Sequence, residues 1–253
     1  MKKIASIFFP LSLFCLFVLF ACKKNDQALP STGKLMGSIQ TWDDKTTAIA
    51  DKSGITVSTD YPTVNTTTTN ASGNFSFDNL DFDKYDLSFS KAGYGTYKIF
   101  SYAHNYNPAG PITINIIPLI NFAKQATTAV TNLVLLKTSF NGINGVSFQV
   151  TVSPNPTTLK RAYIRYFLST NSGLSNSNYS VYTPPIGTST TIAIDGFSND
   201  ELTGFGFSKG QTIYIKAYGE SVKGNDFDDP NLRKRIFPNL NTTTVAAISF
   251  VMQ

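Results

Sequence analysis

The chain has 253 residues, with 21 basic and 16 acidic residues giving a formal charge of +5, one histidine and two cysteines. The basic residues are scattered, so the positive balance is no nucleic-acid footprint and no nucleic-acid partner is expected. Any Ser-His-Asp or Cys-His arrangement would pass through His104, whose neighbours Tyr102, Asn105 and Tyr106 read as a polar loop, and one histidine leaves too few ligands for a zinc site.

In chain order, Lys2 and Lys3 open a charged start, and Ile4 to Phe20 form an apolar run interrupted by Ser6, Pro10 and Ser12. This run suits a targeting segment better than a membrane span. It closes on Leu19-Phe20-Ala21-Cys22. The layout resembles a bacterial lipoprotein signal peptide (residues 1–21) ending in a lipobox. That resemblance implies cleavage before Cys22 and acylation of its thiol. Cleavage would remove Cys15, Lys2 and Lys3, lowering the charge from +5 to +3 and leaving Cys22 with no disulfide partner. Acyl chains contribute about 0.8 kcal/mol per buried methylene, so they would hold the protein on a membrane without a spanning helix. Residues 22–32 are polar and run into Pro30-Ser31-Thr32-Gly33, which reads as a flexible tether.

Beyond the tether, strong helix formers are scarce, with Glu201 and Glu220 the only glutamates, and alternation with period two recurs. The fold class is all-β, with two β-sandwich domains in tandem. Ile55 and Val57, Phe75 and Phe77, the set Tyr85, Leu87, Phe89, and the set Ile112, Ile114, Ile116 are each expected to bury on one strand face. Asn70-Ala71-Ser72-Gly73 reads as a hairpin connection, with glycine available for a positive φ.

Residues 33–121 resemble the carboxypeptidase regulatory-like domain, a small transthyretin-like β-sandwich. The matching pieces are Gly37-Ser38-Ile39, the stretch Thr69 to Phe77, Asn79-Leu80, Tyr85-Asp86-Leu87 and Lys91-Ala92-Gly93-Tyr94. The resemblance implies a non-catalytic module.

Residues 122–253 hold six further candidate strands: Val130 to Leu136, Val146 to Val152, Ala162 to Leu168, Ser189 to Ile194, Thr212 to Tyr218 and Val245 to Val251. They are separated by turn chemistry such as Asn141-Gly142, Pro154-Asn155-Pro156 and Lys209-Gly210. This spacing suits an immunoglobulin-like sandwich. Gly210 to Tyr218 is similar to the penultimate strand of a fibronectin type III domain. Asn121 to Thr131 is expected to be an accessible connector that a protease cuts. As a whole the chain resembles lipoproteins of Bacteroidota, which implies an outer-membrane location. Lys23-Lys24-Asn25-Asp26 leaves the surface or periplasmic orientation open.

Two carboxylate clusters bear on chemistry. Asp78, Asp81, Asp83 and Asp86 read as a solvated hairpin end, with an oxygen-ligated Ca²⁺ site as the sharper alternative. In Asn225 to Asn231, the sharper alternative to an Asx-rich turn is a Ca²⁺ site on Asp226, Asp228 and Asp229, although the spacing is not that of an EF-hand. No other cofactor is expected. Arg233-Lys234-Arg235 reads as a solvated turn. Trp42, Tyr61, Tyr94, Tyr97, Tyr102 and Tyr106 read first as cross-strand packing residues, with stacking on sugar faces as the sharper alternative. With no catalytic set in view, the expectation is a non-enzymatic, lipid-anchored envelope protein that binds a glycan, a nutrient or an envelope partner. The alternatives are an assembly subunit that pairs edge strands and a hydrolase built on paired carboxylates.

Overall fold

The computed structural model describes residues 29–108 and 114–253. The signal segment, Cys22 and most of the tether lie outside the described residues, as does Ile112. Regular structure is almost entirely strand.

The first half contains β1 (Thr32–Trp42), β2 (Ala48–Ile49), β3 (Thr56–Tyr61), β4 (Asn65–Thr68), β5 (Asn74–Asp81), β6 (Asp83–Ser90), β7 (Tyr97–His104) and β8 (Ile114–Ala123). β1 is the centre of one sheet: β2 and β5 pair antiparallel with it, and β8 pairs with it in parallel. The second sheet has the order β4-β3-β6-β7. The inward sets Ile55 and Val57, Phe75 and Phe77, and Tyr85, Leu87 and Phe89 meet between the sheets, as their period-two spacing requires. Full burial of side chains of this size stabilises by about 1.5–3 kcal/mol each.

Two connections differ from the sequence expectation. Asn70–Gly73 is no hairpin, because β4 and β5 belong to different sheets; it is a corner, and Gly73 still takes the positive φ of 84°. The same holds between β5 and β6, so the four aspartates sit on strands flanking a corner. The third difference is one of parity. Ile114 and Ile116 face solvent, while Ile117, Ile120 and Phe122 are buried. Register explains it: Asn115 pairs with Leu35 and Ile117 with Gly37, and the next inward pair is Ile120 with Ile39. One extra residue on β8, at Pro118-Leu119, resets the alternation.

The second half contains β9 (Ala129–Phe140), β10 (Ile143–Ser153), β11 (Ala162–Ser169), β12 (Val181–Tyr182), β13 (Ile186–Thr188), β14 (Ile192–Ser198), the helix α1 (Asn199–Gly204), β15 (Thr212–Gly219), β16 (Phe227–Asp229), β17 (Lys234–Ile236) and β18 (Ile248–Val251). A sheet β14-β10-β9 faces a sheet β12-β11-β15-β18, with β13 also on β11, across a core that includes Phe148, Tyr166, Ile213 and Ile215. The β9–β10 turn is Asn141-Gly142 with φ of 50° and 80°, two successive positive values of the kind that close two-residue hairpins. α1 was not expected from periodicity. Its signal is the capping box, in which Ser198 Oγ accepts from Glu201 N–H and the Glu201 carboxylate accepts from Ser198 N–H.

A satellite cluster of Phe167, Leu174, Tyr218, Phe237 and Leu240 lies outside the second sandwich. Beside it the Arg165 guanidinium sits 4.4 Å from the Phe237 ring and donates to Glu220 at 2.9 Å. Burial pushes the Glu220 carboxyl up even though Arg165 opposes the shift.

The connector is the largest departure from expectation. Ala123, Ala126 and Thr128 are buried. The Thr127 N–H and hydroxyl both donate to Asp44 Oδ2, which also pairs with Lys45 at 3.0 Å. Burial alone would raise the Asp44 pKa; the hydrogen bonds from Thr127 and Lys45 outweigh it and hold the carboxyl below its usual range. The connector is therefore stitched down at alternate residues, with Lys124, Gln125 and Thr127 on its exposed side.

Candidate functional site

The first sandwich is open along the flank where β7 ends one sheet and β8 ends the other. Both edge strands are bulged there. Tyr85 pairs with Tyr102 and Leu87 with Ile99, so β7 carries one residue more than β6 over the same span. The irregularity falls at Ser101, a non-glycine residue with a φ of 53°, whose N–H donates to Asp86 Oδ1 at 2.8 Å. Such a backbone persists only where its surroundings hold it. The extra residue brings Tyr102 into the cleft beside Tyr97 and Ile99, which strict alternation from Tyr97 would have prevented. The Tyr102 hydroxyl then donates to Ile116 C=O of β8 at 3.1 Å, bridging the two edges.

Between these edges lies a cleft of about 560 Å³, walled by Tyr97, Ile99 and Tyr102 on one side and Ile117 to Asn121 on the other. That volume is within the range of small-ligand sites. Pro118 fits an edge position, because a proline offers no N–H to a further strand. Partial burial pushes the phenols of Tyr97 and Tyr102 above their ordinary pKa, so both remain protonated donors at neutral pH.

The end wall comes from the second half, with Gly224, Asp226 and Arg235. Two buried asparagines fix it in place. Asn225 Oδ1 accepts from Ala123 N–H at 2.8 Å, and its amide nitrogen donates to Gly95 C=O. Asn239 donates to the carbonyls of Ala123 and Lys124 at 2.8 and 3.0 Å, while its oxygen accepts from Asn225 N–H. Gly95 is needed for this approach: a Cβ there would lie 2.6 Å from Asn239 Oδ1. Phe227 adds ring contacts to Tyr97 and Phe100 at 6.4 and 6.1 Å, seating the β16–β17 hairpin on β7.

Arg235 binds Asp226 through Nε at 2.9 Å and Asp228 through Nη1 at 3.0 Å. Burial disfavours its charge, but the two carboxylates win and raise its pKa. The residues expected to hold Ca²⁺ thus do not converge: Asp226 and Asp228 face a guanidinium, and Asp229 accepts from the N–H groups of Asn231 and Leu232. Among the described residues, no three His, Cys, Asp or Glu side chains are grouped to hold a metal. Nor is Arg233-Lys234-Arg235 a uniform solvated turn. Arg233 is exposed with a φ of 51°, Lys234 donates to Ser177 C=O, and Arg235 points to the cleft.

The other candidates disperse. Asp78 pairs with Lys34 at 2.9 Å, Asp86 holds Ser101, and Asp83 caps its neighbour Lys84. His104 is no loop residue: it ends β7, fully buried, with Nε2 3.2 Å from Leu80 C=O. Desolvation lowers its pKa. Of the six aromatic candidates, Tyr97 and Tyr102 share the cleft. Tyr94 is buried, stacked on Phe122 at 5.1 Å. Tyr61 is exposed on its own and Tyr106 packs on Phe82. Trp42 donates to Asn121 Oδ1 at 2.9 Å, with Lys223 over its ring. Sequence reasoning missed Asn225, Asn239 and Arg235 as a structural unit, and their spacing carries no motif that would have grouped them. Among the cleft-lining residues Asp226 alone bears a carboxyl, so the paired-acid geometry of hydrolysis is not formed there.

No protein-family model matches the sequence, and no curated protein is similar to it. Solved structures give distant similarities. One is a candidate carbohydrate-binding protein from Bacteroides uniformis (11% identity, TM-score 0.31, 86% of this chain and 98% of that one). Another is a DUF3823 family protein from Parabacteroides merdae (9% identity, TM-score 0.31, 87% and 98%). An interface mutant of a type II cohesin–X-dockerin complex from Acetivibrio cellulolyticus matches 36% of this chain at 20% identity and a TM-score of 0.28, and the match spans 56% of that chain. Similarities at this level assign no family and no ligand.

Proposed function

We propose that this is a lipid-anchored, non-catalytic envelope protein that binds a short saccharide segment in the cleft between β7 and β8. The observation that carries the reading is the pair of bulges, which open both edge strands onto one space and turn Tyr97 and Tyr102 into it together. Phenol rings offer faces for the apolar side of a pyranose, and their hydroxyls with Asn121, Asp226 and Arg235 offer polar partners for its rim. The anchor rests on the lipobox resemblance at Cys22, and the outer-membrane setting on the resemblance of the whole chain to lipoproteins of Bacteroidota. Cys22→Ser is expected to release the protein from the membrane fraction; continued tight association would refute the anchor.

Saccharide binding is tested with the full chain in detergent on an oligosaccharide array, alongside the double variant Tyr97→Ala/Tyr102→Ala. Retention by the parent, with a loss of at least tenfold in the variant at an unchanged melting temperature, supports the cleft. Equal retention by both proteins places binding elsewhere.

A second reading has one observation in its favour. β9 is a twelve-residue edge strand that exposes Val134, Leu135 and Leu136, the kind of edge that accepts a strand from another chain. A concentration-dependent rise in mass, abolished by Leu135→Lys, would favour assembly through β9.

A further inference from the structure

We infer that the cleft selects uncharged saccharide segments and rejects anionic ones, because its single cation arrives already neutralised. This rests on the saccharide reading and specifies its ligand class.

Among the lining residues, Arg235 is the only cation and Asp226 the only anion. They bind each other at 2.9 Å, and Asp228 takes a second nitrogen of the same guanidinium at 3.0 Å. The local balance at the end wall is therefore zero to slightly negative. A uronate, sulfate or sialate reaching Arg235 would have to displace a carboxylate or lie beside one.

The leftover valences of the pair point the same way. Asp226 uses Oδ2 toward Arg235, and Arg235 uses Nε and Nη1. Among the described residues, Asp226 Oδ1 and Arg235 Nη2 have no hydrogen-bond partner. The bonded pair thus keeps one acceptor oxygen and one donor nitrogen in reserve. Neighbouring hydroxyls of a neutral sugar can satisfy both, one donating to the carboxylate and the other accepting from the guanidinium. A ligand carboxylate can serve only the donor, and it sets like charges together at the other atom. The nearby cation Lys223 does not reverse this balance, since it lies over the Trp42 ring and is not part of the lining.

The test uses the full chain in detergent with malto-, cello-, manno- and xylo-oligosaccharides against oligogalacturonates and oligomannuronates of matched length, by titration calorimetry. Expected is binding to at least one neutral series, with every uronate series at least tenfold weaker. Asp226→Asn is expected to weaken neutral binding and, by freeing Arg235, to raise uronate binding at least fivefold. Asp228, whose side chain is 78% exposed, offers a variant that leaves the lining intact; Asp228→Asn should raise uronate binding about twofold and keep neutral binding. Uronate binding by the parent equal to or tighter than neutral binding overturns the selectivity and leaves the saccharide reading standing. No binding of either series overturns both.

Discussion

The first sandwich has two open flanks, and only one of them is built as a site. On the β4–β5 flank the gap is about 260 Å³ and is lined by Asn65, Thr66, Thr67, Ser76 to Asn79 and Leu80, with Phe77 as its one aromatic residue, turned into the core. β4 pairs with β3 in an unbroken antiparallel register, while β5 carries one extra residue against β1 between Phe77 and Leu80. On the β7–β8 flank both edges are bulged, two tyrosines face the gap, and a hairpin from the other half of the molecule closes the end. The same two sheets therefore give a smaller polar groove on one side and a larger, tyrosine-lined cleft on the other. What separates them is the pair of tyrosines that the β7 bulge turns into one gap, together with an end wall clamped by asparagine.

The comparison breaks most severely at the clamp. Asn239→Ala leaves the Asn225 N–H without its partner in a buried setting, at about 1–3 kcal/mol, and takes one of two donors from the Ala123 carbonyl, which keeps Gly95 N–H. A fall of several degrees in the thermal midpoint, accompanied by loss of ligand binding, is expected in calorimetry. An unchanged midpoint would mean that the end wall does not depend on this residue. Gly95→Ala acts on the same joint by pushing a methyl group against Asn239, and overpacking of this kind costs about 1–3 kcal/mol.

A smaller effect is expected at the bulge. Asp86→Ala removes the acceptor that holds Ser101 N–H, which costs about 1 kcal/mol. It should weaken ligand binding more than stability alone explains, since Tyr102 is positioned through that turn; Asp86→Asn, which keeps an acceptor oxygen, should recover most of the binding. Smallest of all, Thr67→Ala on the opposite flank should leave both binding and stability within about 0.5 kcal/mol of the parent. A marked loss of binding there would equate the two flanks and remove the basis of the comparison.

These contrasts show where the sequence was readable. Period-two alternation placed Tyr85, Leu87 and Phe89 in the core because β6 runs unbroken through them. It misplaced Ile114 and Ile116 because the inward parity of β8 falls on Asn115 and Ile117 before Pro118-Leu119 resets it, and alternation alone does not say which parity faces inward. Pro118 within an apolar strand was the available hint of an irregular edge. The cleft itself was less legible. Tyr97 and Tyr102 are five residues apart, opposite in parity, and face one space only through the Ser101 turn. Asn225 and Asn239 look like ordinary loop residues until the fold buries them against the connector. Arg235 stood in a basic triplet that composition assigned to solvent, whereas hairpin pairing of Phe227 with Ile236 brings it over Asp226 and Asp228.

The central claim is that the β7–β8 flank is where ligand binds. It is tested most directly by backbone NMR of the isotope-labelled chain titrated with a neutral oligosaccharide that the array retains. The account predicts shift changes concentrated in residues 97–102, 117–121 and 224–235, with little change in residues 65–80. Changes centred on the β4–β5 flank or on β9, with the β7–β8 cleft silent, would contradict it.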